Sequence, residues 1–520
     1  MRVAARVALG AVCLGVASFA ACQWVLPERF AVNAPMLNTL FGIGGGVPPA
    51  AVVDERFRAP AGFQVSLYAA VPRARLLHFT PAGDLLVSAP RTNQVWLLER
   101  DRDGDGRPDA VRALDLELDR PHGLAVFEGA LYVAEGTRIR HVDFDVDRGV
   151  ATGAMTTLVD GLPDGGNHWT RTLGIGPDRG LYVTVGSSCN VCEEEDERRA
   201  AMLRYELDGS GYELYATGLR NAVDFGWHPA TGALYATDNG RDLLGDDFPP
   251  CELDRIVRGG FYGWPYVNGD GVADPDFGGA RPDLAARAIP PAHAFRAHNA
   301  PLGIGFAHGA STPPGYAGAA FVALHGSWNR TRKDGYRVVS LHWRDDGTIE
   351  ERPFLDGFEA GGEVIGRPVD AEPGPDGAVY VSDDYAGAVW RVAPDDRAAR
   401  AAPAGDAPRA LDASAAGTAT RALAALGTAE RAELSARGAA LYERHACASC
   451  HEAERAAPGV VSVPLHDLST RYDIDALAAS FESPTPPMPV FDLDASERRA
   501  LAVYLLSRET AEPGRPGDAR

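Results

Sequence analysis

Short apolar runs alternate with turn residues along residues 55–393, and the pattern repeats. Six segments each hold two apolar runs, rich in Leu, Val and Tyr, around a turn of Pro, Asp and Gly. They are LLHFTPAGDLLVSAP, PHGLAVFEGALYVAEG, TLGIGPDRGLYVTVG, VDFGWHPATGALYATDNG, GIGFAHGASTPPGYAGAAFVALHG and VDAEPGPDGAVYVSDDYAG. Such runs predict β-hairpins, and their recurrence is typical of four-stranded propeller blades. We therefore predict an all-β six-bladed propeller over residues 55–393, with ligands bound at one end of its channel.

The pattern changes after the last of these segments. Residues 394–430 are rich in Ala, Pro and Gly and poor in aromatic residues, which is typical of a linker. Helical spacing then appears in AERAELSARGAALYERHACASCHE and in DASERRALAVYLLS. We predict a small all-α domain over residues 431–510, followed by a C-terminal tail over residues 511–520.

The helical region contains the motif C-x-x-C-H at Cys447, Cys450 and His451. This motif is the attachment signature of c-type haem, in which two thiols bond the porphyrin and the histidine ligates the iron. Met488, in the proline-rich segment SPTPPMPVF, is the predicted second iron ligand. His/Met ligation raises the reduction potential and favours electron transfer. The alternatives are a zinc site or a disulfide for the cysteines and a buried core position for Met488.

The N-terminal residues have the pattern of an export signal. Arg2 and Arg6 precede a short apolar run, and FAAC, which ends at Cys22, is similar to a bacterial lipoprotein cleavage box. We predict a signal peptide over residues 1–21 and an N-terminal extension over residues 22–54. The mature protein is then periplasmic or otherwise exported, with a lipidated Cys22 as a membrane tether. Cleavage and release without lipidation is the alternative.

The net charge limits the classes of partner that the protein can bind, and the remaining cysteines are interpreted from the compartment that the export signal predicts. The formal net charge is −21, and such a surface repels phosphate backbones, so we expect no nucleic-acid partner. Cys189 and Cys192 form the segment CNVC without a following histidine. In an exported chain we expect them to form a disulfide, with a redox-active role as the alternative. Cys251 is left over and is expected to be buried.

Several motifs follow one another along the sequence, on successive predicted blades. They are GNHWTR, TGLRNAVDFGWHP, ATDNGRDLLGDDFPPCELDRIVRGGFYGWP, HGSWNR and GRPVDAEPGPDGAVYVSDDYAG. In these motifs the chain resembles the PQQ-dependent glucose/sorbosone dehydrogenase family, especially its sorbosone and pyranose dehydrogenase branch, and residues 431–510 resemble class I cytochrome c domains. The resemblance implies oxidation of a sugar hydroxyl or aldehyde by hydride transfer to PQQ. Electrons would then pass through haem c to an external acceptor, a cytochrome or the quinone pool.

Binding of PQQ requires cations, because the cofactor carries several carboxylates and arginine forks match carboxylates bidentately. Four arginines lie at the ends of predicted strands, and the resemblance suggests that Arg220 stacks on the ring. The predicted PQQ-binding residues are Arg91, Arg220, Asn221, Asn239, Trp328, Arg330, Arg367 and Asp384. The alternative for each arginine is a solvated surface charge.

His168, in GNHWTR, is the predicted general base, since an imidazole that titrates near neutrality suits proton abstraction. Asn167 precedes it where the soluble glucose dehydrogenase branch has an aspartate, so Asp384 is the expected orienting partner. A structural role is the alternative for His168, and His122 is expected to be structural.

Calcium is the third expected cofactor, because it would polarise the quinone. The resemblance assigns it the backbone carbonyls of Gly240 and Arg241. A second calcium loop is predicted in DRDGDGRPD, with a solvated hairpin turn as the alternative. Its ligands would be Asp101, Asp103, Asp105 and Asp109.

Two other functions stay open for the propeller. A calcium-dependent lactonase or other hydrolase would place acidic side chains, rather than arginines, at the channel mouth. A non-catalytic carbohydrate-binding propeller would only deliver the cytochrome to a partner.

Overall fold

The computed structural model describes residues 45–308, 312–313, 315–344, 346–395, 423, 426–445, 447–452, 455, 465, 468, 472, 474–481 and 493–511. Contacts divide the chain into two compact units, Met1–Asp396 and Arg397–Arg520. The first unit consists mainly of strands and the second of helices. The predicted signal peptide, Cys22, Met488 and most of the predicted linker and tail lie outside the described residues.

The first unit is a ring of six blades, which confirms the predicted six-bladed propeller. Strand β1 (Phe63–Ala70) comes first in the sequence, and the six blades then succeed one another in sequence order. Blade 1 holds β2 (Leu77–Phe79), β3 (Leu85–Ala89), β4 (Gln94–Leu98) and β5 (Val111–Ala113). Blade 2 holds β6 (Gly123–Phe127), β7 (Ala130–Ala134), β8 (Ile139–Asp145) and β9 (Val150–Val159). Blade 3 holds β10 (Leu173–Ile175), β11 (Leu181–Val185), β12 (Ala201–Tyr205) and β13 (Glu213–Thr217).

The second half of the ring has the same arrangement, with short additions. Blade 4 holds β14 (Ala222–Trp227), β15 (Leu234–Asp238), β16 (Cys251–Ile256) and β20 (His293–Phe295). The long connection between β16 and β20 contains β17 (Gly260–Phe261), which pairs parallel with β13 as a fifth strand of blade 3, and the hairpin of β18 (Val267–Asn268) and β19 (Val272–Ala273). Blade 5 holds β21 (Pro301–Phe306), β22 (Ala320–Leu324), β23 (Arg337–Trp343) and β24 (Ile349–Leu355). After the hairpin β25 (Glu359–Ala360) and β26 (Glu363–Val364), blade 6 holds β27 (Pro368–Pro373), β28 (Val379–Asp383) and β29 (Ala388–Pro394). The described part of this unit also contains two short helices, α1 (Ala50–Arg56) and α2 (Pro282–Ala285), and a 3-10 helix at Pro90–Thr92.

The ring is closed by the first strand of the chain. β1 pairs antiparallel with β29, in a register from Phe63 opposite Pro394 to Ala70 opposite Ala388. The outermost strand of blade 6 therefore comes from the N-terminal side of the propeller. This pairing ties the two ends of the ring together.

The core lies between neighbouring blades. The second strands β3, β11, β15, β22 and β28 are buried at every position. Each sheet packs face to face on its neighbours, so both faces of these strands are covered. This explains why the repeats contain continuous apolar runs such as LYVTV rather than alternating ones.

The second unit is a small helical domain, as predicted. Among its described residues the helices are α3 (Thr428–Arg444), α4 (Ala448–His451), α5 (Ile474–Ser480) and α6 (Ala495–Ala511). Gly438 lets α3 and α6 approach closely, since a Cβ there would lie 2.2 Å from the Ala500 carbonyl oxygen. Asp494 and Glu497 form a capping box at the start of α6, with N···O distances of 2.8 and 3.1 Å. Among the described residues, no helix is long and apolar enough to cross a membrane.

Substitution of Trp390 tests the packing between blades. It is fully buried on β29, and its ring lies 5.0 Å from that of Phe57. We expect Trp390→Ala to lower the free energy of unfolding of the propeller by about 3–5 kcal/mol, because it leaves a large cavity. Urea unfolding followed by far-ultraviolet circular dichroism measures this. Val272→Ala, at a position 50% exposed, is the control and should change stability by less than about 0.5 kcal/mol; equal losses would contradict the burial of Trp390.

Candidate functional site

Seven of the predicted site residues occupy one recurring position in the blades, together with Arg75 and His325, which the sequence analysis did not predict. They lie shortly before the innermost strand of a blade or just after its second strand. The first and second strands are antiparallel, so both positions lie at the same end of the propeller. Those before innermost strands are Arg75, His168, Arg220, Asn221 and Arg367, and those after second strands are Arg91, Asn239, His325 and Asp384.

His168 is held by Ser187. Its Nδ1 lies 3.0 Å from the Ser187 carbonyl oxygen and 2.9 Å from Ser187 Oγ. A carbonyl oxygen can only accept a hydrogen bond, so Nδ1 carries the proton and Nε2 keeps a free lone pair. Burial, and then the charge of Arg220, lower the pKa of His168 to about 3. The imidazole is therefore neutral at neutral pH, as a general base requires.

The structure does not show the expected contact between Asp384 and His168. Asp384 accepts hydrogen bonds from Arg75 Nη1, at 2.8 Å, and from His325 Nε2, at 3.0 Å. Ser187 comes from the end of β11, next to His168, and takes the place of the missing aspartate. The prediction failed because a backbone carbonyl leaves no signal in the sequence.

Asn221 lies beside His168 in the same part of the site. Gly186 separates them so closely that a Cβ at Gly186 would lie 2.6 Å from His168 Cβ and 2.8 Å from Asn221 Oδ1. Asn221 Oδ1 is buried without a hydrogen-bond partner among the described residues. Buried polar atoms are normally paired, so Asn221 is suited to a donor on a bound molecule.

The guanidinium of Arg220 is bound at its edges by protein groups. Its Nε donates to the Asn190 carbonyl at 2.9 Å, and its Nη1 to the Asn239 carbonyl at 3.0 Å. Its Nη2 donates to Asn190 Oδ1 at 2.9 Å and to Asp242 Oδ2 at 3.0 Å. With the edges occupied, Arg220 could contact a ligand only through a flat face of its guanidinium. This geometry suits the stacking role suggested for Arg220 better than a carboxylate fork.

A second group of buried charges comes from blades 1, 5 and 6. Arg75 and His325 both bind Asp384, and Arg367 donates to the His325 carbonyl at 3.2 Å and to the Gly326 carbonyl at 3.1 Å. Burial alone would raise the pKa of Asp384, but His325, Arg75 and Arg367 hold it well below its ordinary value. Burial lowers the pKa of His325 to about 4. Asp384 is thus ionised and His325 neutral.

Arg75 is a site residue that sequence reasoning missed. It is buried, its Nε lacks a partner within the part of the chain that the structure describes, and its guanidinium lies 5.5 Å from the Trp169 ring. A signal was available, because an arginine stands one or two residues before the innermost strand in four of the six repeats. These are Arg75, Arg171, Arg220 and Arg367. Burial lowers the pKa of Arg75, and the neighbouring charges of Arg367 and Arg91 lower it further, against the opposing effect of Asp384.

Three other residues predicted to bind PQQ, Arg330, Trp328 and Arg91, differ from one another in burial and contacts. Arg330 Nη1 donates to the carbonyls of Asp246 and Ala297, and its Nη2 to Asp247 Oδ1 at 3.0 Å. Arg330 therefore fastens the loop that follows Arg241. Trp328 is half-buried and Arg91 is exposed. Cofactor binding by these three side chains stays a prediction.

The predicted calcium residues also form contacts with the protein. Gly240 packs so closely on Pro250 that a Cβ would lie 2.4 Å from its carbonyl oxygen. The Arg241 side chain pairs with Asp274 Oδ2 at 2.6 Å and with Asp276 Oδ2 at 2.9 Å. The calcium-binding role of the two backbone carbonyls stays a prediction.

The acidic loop after β4 is a turn stabilised by its own carboxylates. Asp101 accepts from the amides of Gly104 and Gly106 at 2.7 Å. Asp109 pairs with Arg102 at 2.7 Å. The carboxylates of Asp101, Asp103 and Asp109 lie close to one another, and Asp105 accepts from the Arg107 amide at 2.8 Å. Calcium binding here stays a prediction.

Two cysteine predictions are confirmed. Cys189 and Cys192 form a disulfide, and Cys251 is buried. In the helical unit, the His451 amide donates to the Cys447 carbonyl at 3.1 Å, so the C-x-x-C-H motif spans one helical turn. The Cys450 side chain and Met488 lie outside the described residues.

Comparison with known proteins identifies the family to which this chain belongs. The profile of the TrAA12-like family matches residues 57–248 and 283–395, which is more than half of the chain. The chain belongs to the TrAA12-like family. The TrAA12-like propeller is followed at residues 433–505 by a match to the family "Cytochrome C oxidase, cbb3-type, subunit III", so the second unit is a cytochrome c domain. The protein is therefore homologous to PQQ-dependent sugar dehydrogenases and carries a cytochrome c domain.

Three individual proteins are similar to parts of this chain. An uncharacterised protein of Borreliella burgdorferi is 27% identical over 374 residues, covering 69% of this TrAA12-like chain and 96% of that protein. Quinoprotein glucose dehydrogenase B of Acinetobacter calcoaceticus is 27% identical over 137 residues, which cover 22% of this chain and 29% of that protein. The holo form of the pyranose dehydrogenase PQQ domain from Coprinopsis cinerea shares the fold, with a TM-score of 0.55 and 22% identity over 65% of this chain and 97% of that one.

The site of the TrAA12-like propeller fits PQQ chemically. Within the described part of the chain, Arg75 Nε has no partner, and the charges of Arg91 and Arg367 act on Arg75, so positive charge exceeds that of the Asp384 carboxylate bound to it. Carboxylates of a ligand would balance this charge. Asn221 Oδ1, which has no hydrogen-bond partner among the described residues, adds an acceptor. Arg220, whose edges are occupied, could add a stacking surface.

The protonation state of His168 can be measured directly. We expect its imidazole to stay neutral from pH 8 to pH 5, because its pKa is lowered to about 3. Histidine-labelled NMR spectra over this range measure it, with His168→Gln identifying the resonance. The folded state disfavours the imidazolium, so the contribution of His168 to stability is complete above pH 6.5 and is lost as the pH falls toward 3. A titration midpoint near 6.5 would contradict the described hydrogen bond and burial.

Proposed function

We propose that this protein is a quinohaemoprotein dehydrogenase of aldoses or sorbosone-like sugar aldehydes. The observation that carries the proposal is the neutral His168 imidazole, with Nε2 unprotonated, beside Arg220 and Asn221 in a chain that also holds a cytochrome c domain. Arginines at the mouth of the propeller favour a redox cofactor over the acidic site that a lactonase requires.

The chemistry of PQQ, when bound, is to accept a hydride from the substrate carbon. His168 Nε2 takes the proton of the substrate hydroxyl, or of a hydrated aldehyde, while Nδ1–H stays donated to Ser187. The charge of Arg220 weakens His168 as a base in the free protein. An anionic ligand against Arg220 would offset that charge, so the base would gain strength when the site is filled.

Several residues would hold the cofactor. Arg75, Arg91 and Arg367 supply positive charge for its carboxylates, and Arg220 supplies a stacking face. Asn221, Asn239, Trp328, Arg330 and Asp384 complete the proposed cofactor-binding set. The carbonyls of Gly240 and Arg241 would hold calcium, which prefers such oxygen ligands.

The cytochrome c domain would pass the electrons on. Cys447 and Cys450 would bond the haem, and His451 and Met488 would ligate its iron. Oxidation of the sugar releases two electrons, whereas haem iron accepts one at a time, so the domain must be reduced twice per turnover. The external acceptor would be another cytochrome or the quinone pool.

An exported location agrees with this chemistry. Residues 1–21 would direct the chain to the periplasm, and a lipidated Cys22 would tether it to a membrane. The Cys189–Cys192 disulfide supports an oxidising compartment.

Sugar-driven haem reduction tests the proposal. Apo-protein is mixed with PQQ and calcium, an aldose or sorbosone is added, and the absorbance of reduced haem is followed. We expect reduction only when PQQ and sugar are both present, and His168→Gln should slow it by about 100-fold or more, because general-base catalysis is worth at least that factor. His141→Gln, on β8 and outside the site, should react like the wild type. Haem reduction without PQQ would overturn the proposal.

Haem attachment and ligation are tested separately. Cys447→Ser together with Cys450→Ser should abolish haem that survives denaturing electrophoresis. Met488→Leu should keep the covalent haem but lose the near-infrared charge-transfer band of a thioether–iron bond. Retention of that band would rule out Met488 as the ligand.

A further inference from the structure

The Cys189–Cys192 loop lies between two functional side chains that come from different blades. His168 precedes the first strand of blade 3, and Arg220 precedes the first strand of blade 4. The loop leaves the end of β11 and contacts both side chains through residues at its start. It therefore links the proposed base to the proposed stacking arginine.

The contact with Arg220 is made by Asn190, inside the disulfide ring. The Asn190 carbonyl accepts from Arg220 Nε at 2.9 Å and from Trp264 Nε1 at 3.3 Å. Asn190 Oδ1 accepts from Arg220 Nη2 at 2.9 Å and from the Asp242 amide at 2.8 Å. Asn190 Nδ2 donates to the Asp242 carbonyl at 3.1 Å. Every hydrogen-bonding atom of the Asn190 side chain is used to fix Arg220 and the segment beside it.

The contact with His168 is made by Ser187. Its carbonyl and hydroxyl oxygens both lie within 3.0 Å of His168 Nδ1. The Ser187 hydroxyl donates in turn to the Cys189 carbonyl at 2.8 Å. The position of the first cysteine thus sets the orientation of the Ser187 hydroxyl that supports the imidazole.

The loop is also closed at its base. Ser188 donates to Glu194 from its amide, at 2.6 Å, and from its hydroxyl, at 2.8 Å. The disulfide closes a ring of four residues around Asn190 and Val191, so the backbone of Asn190 has few conformations to lose when a ligand binds. A contact that is already ordered strengthens binding because less entropy is lost.

We propose that the Cys189–Cys192 disulfide and Asn190 form a positioning clamp that orders Arg220 and His168 for cofactor binding. This inference rests on the proposed function, since it assigns the clamp to the same site. Asn190 acts through Arg220 and is a positioning residue. In the absence of the clamp, Arg220 keeps its bonds to Asp242 and the Asn239 carbonyl, which leave it free to tilt away from a planar ligand.

Cofactor affinity, measured without turnover, tests the clamp. Apo forms of the full chain are titrated with PQQ in the presence of calcium by isothermal titration calorimetry. We expect Asn190→Leu to weaken binding by about tenfold, because the hydrogen bond from the charged Arg220 Nη2 to Asn190 Oδ1 is lost while the contact of Arg220 Nε with the backbone carbonyl remains. The double variant Cys189→Ser/Cys192→Ser should weaken it by a similar factor. Asn190→Asp keeps both acceptor contacts to Arg220 and should restore affinity to within about threefold.

The outcomes separate the clamp from the proposed function. If wild-type protein does not bind PQQ, the proposed function fails and the clamp fails with it. If wild type binds and Asn190→Leu binds equally well, only the clamp is overturned. If Asn190→Asp is as weak as Asn190→Leu, the acceptor contacts are not the cause and the clamp is again rejected. Should the double serine variant not fold, the comparison of Asn190→Leu with Asn190→Asp still decides, because both keep the disulfide.

Discussion

Pairing of β1 with β29 is the contact on which the rest of the propeller depends. It joins strands from the two ends of the propeller sequence and forces six similar sheets into a ring. In a ring, the start of every innermost strand and the end of every second strand point to one end. The site residues of blades 1, 3, 4, 5 and 6 meet there although long stretches of sequence separate them.

The ring also sets the electrostatics of the site. Arg75, Arg220 and Arg367 are buried, and removing a charge from water is expensive unless hydrogen bonds replace the water. Backbone carbonyls, Asn190 and Asp384 provide these bonds. The result is positive charge held in fixed positions before any ligand arrives, which favours an anionic, planar molecule.

Burial also shifts the pKa values of other titratable groups of the propeller in favour of their neutral forms. It lowers the pKa of His78 to about 4 and raises the pKa of Asp370 to about 6. Asp370 accepts from the Leu77 amide at 2.7 Å, and Asp224 accepts from the Ile304 amide at 2.9 Å, so both carboxyl groups tie innermost strands of neighbouring blades together. The same desolvation that makes His168 a neutral base therefore acts throughout the interior, and the ring is stabilised by polar as well as apolar contacts.

The sequence by itself determined the architecture and the haem motif. Six repeats of paired apolar runs predict six blades, because a hairpin pattern is local, and the spacing in C-x-x-C-H is local for the same reason. Helices α3 and α6 followed from their periodicity. Only the tertiary structure decided that Ser187 rather than Asp384 holds His168, that Arg75 binds Asp384, and that Arg330 fastens a loop. Each of these depends on which blades become neighbours and which backbone carbonyls face them, and that information arises when the ring closes rather than in any one segment.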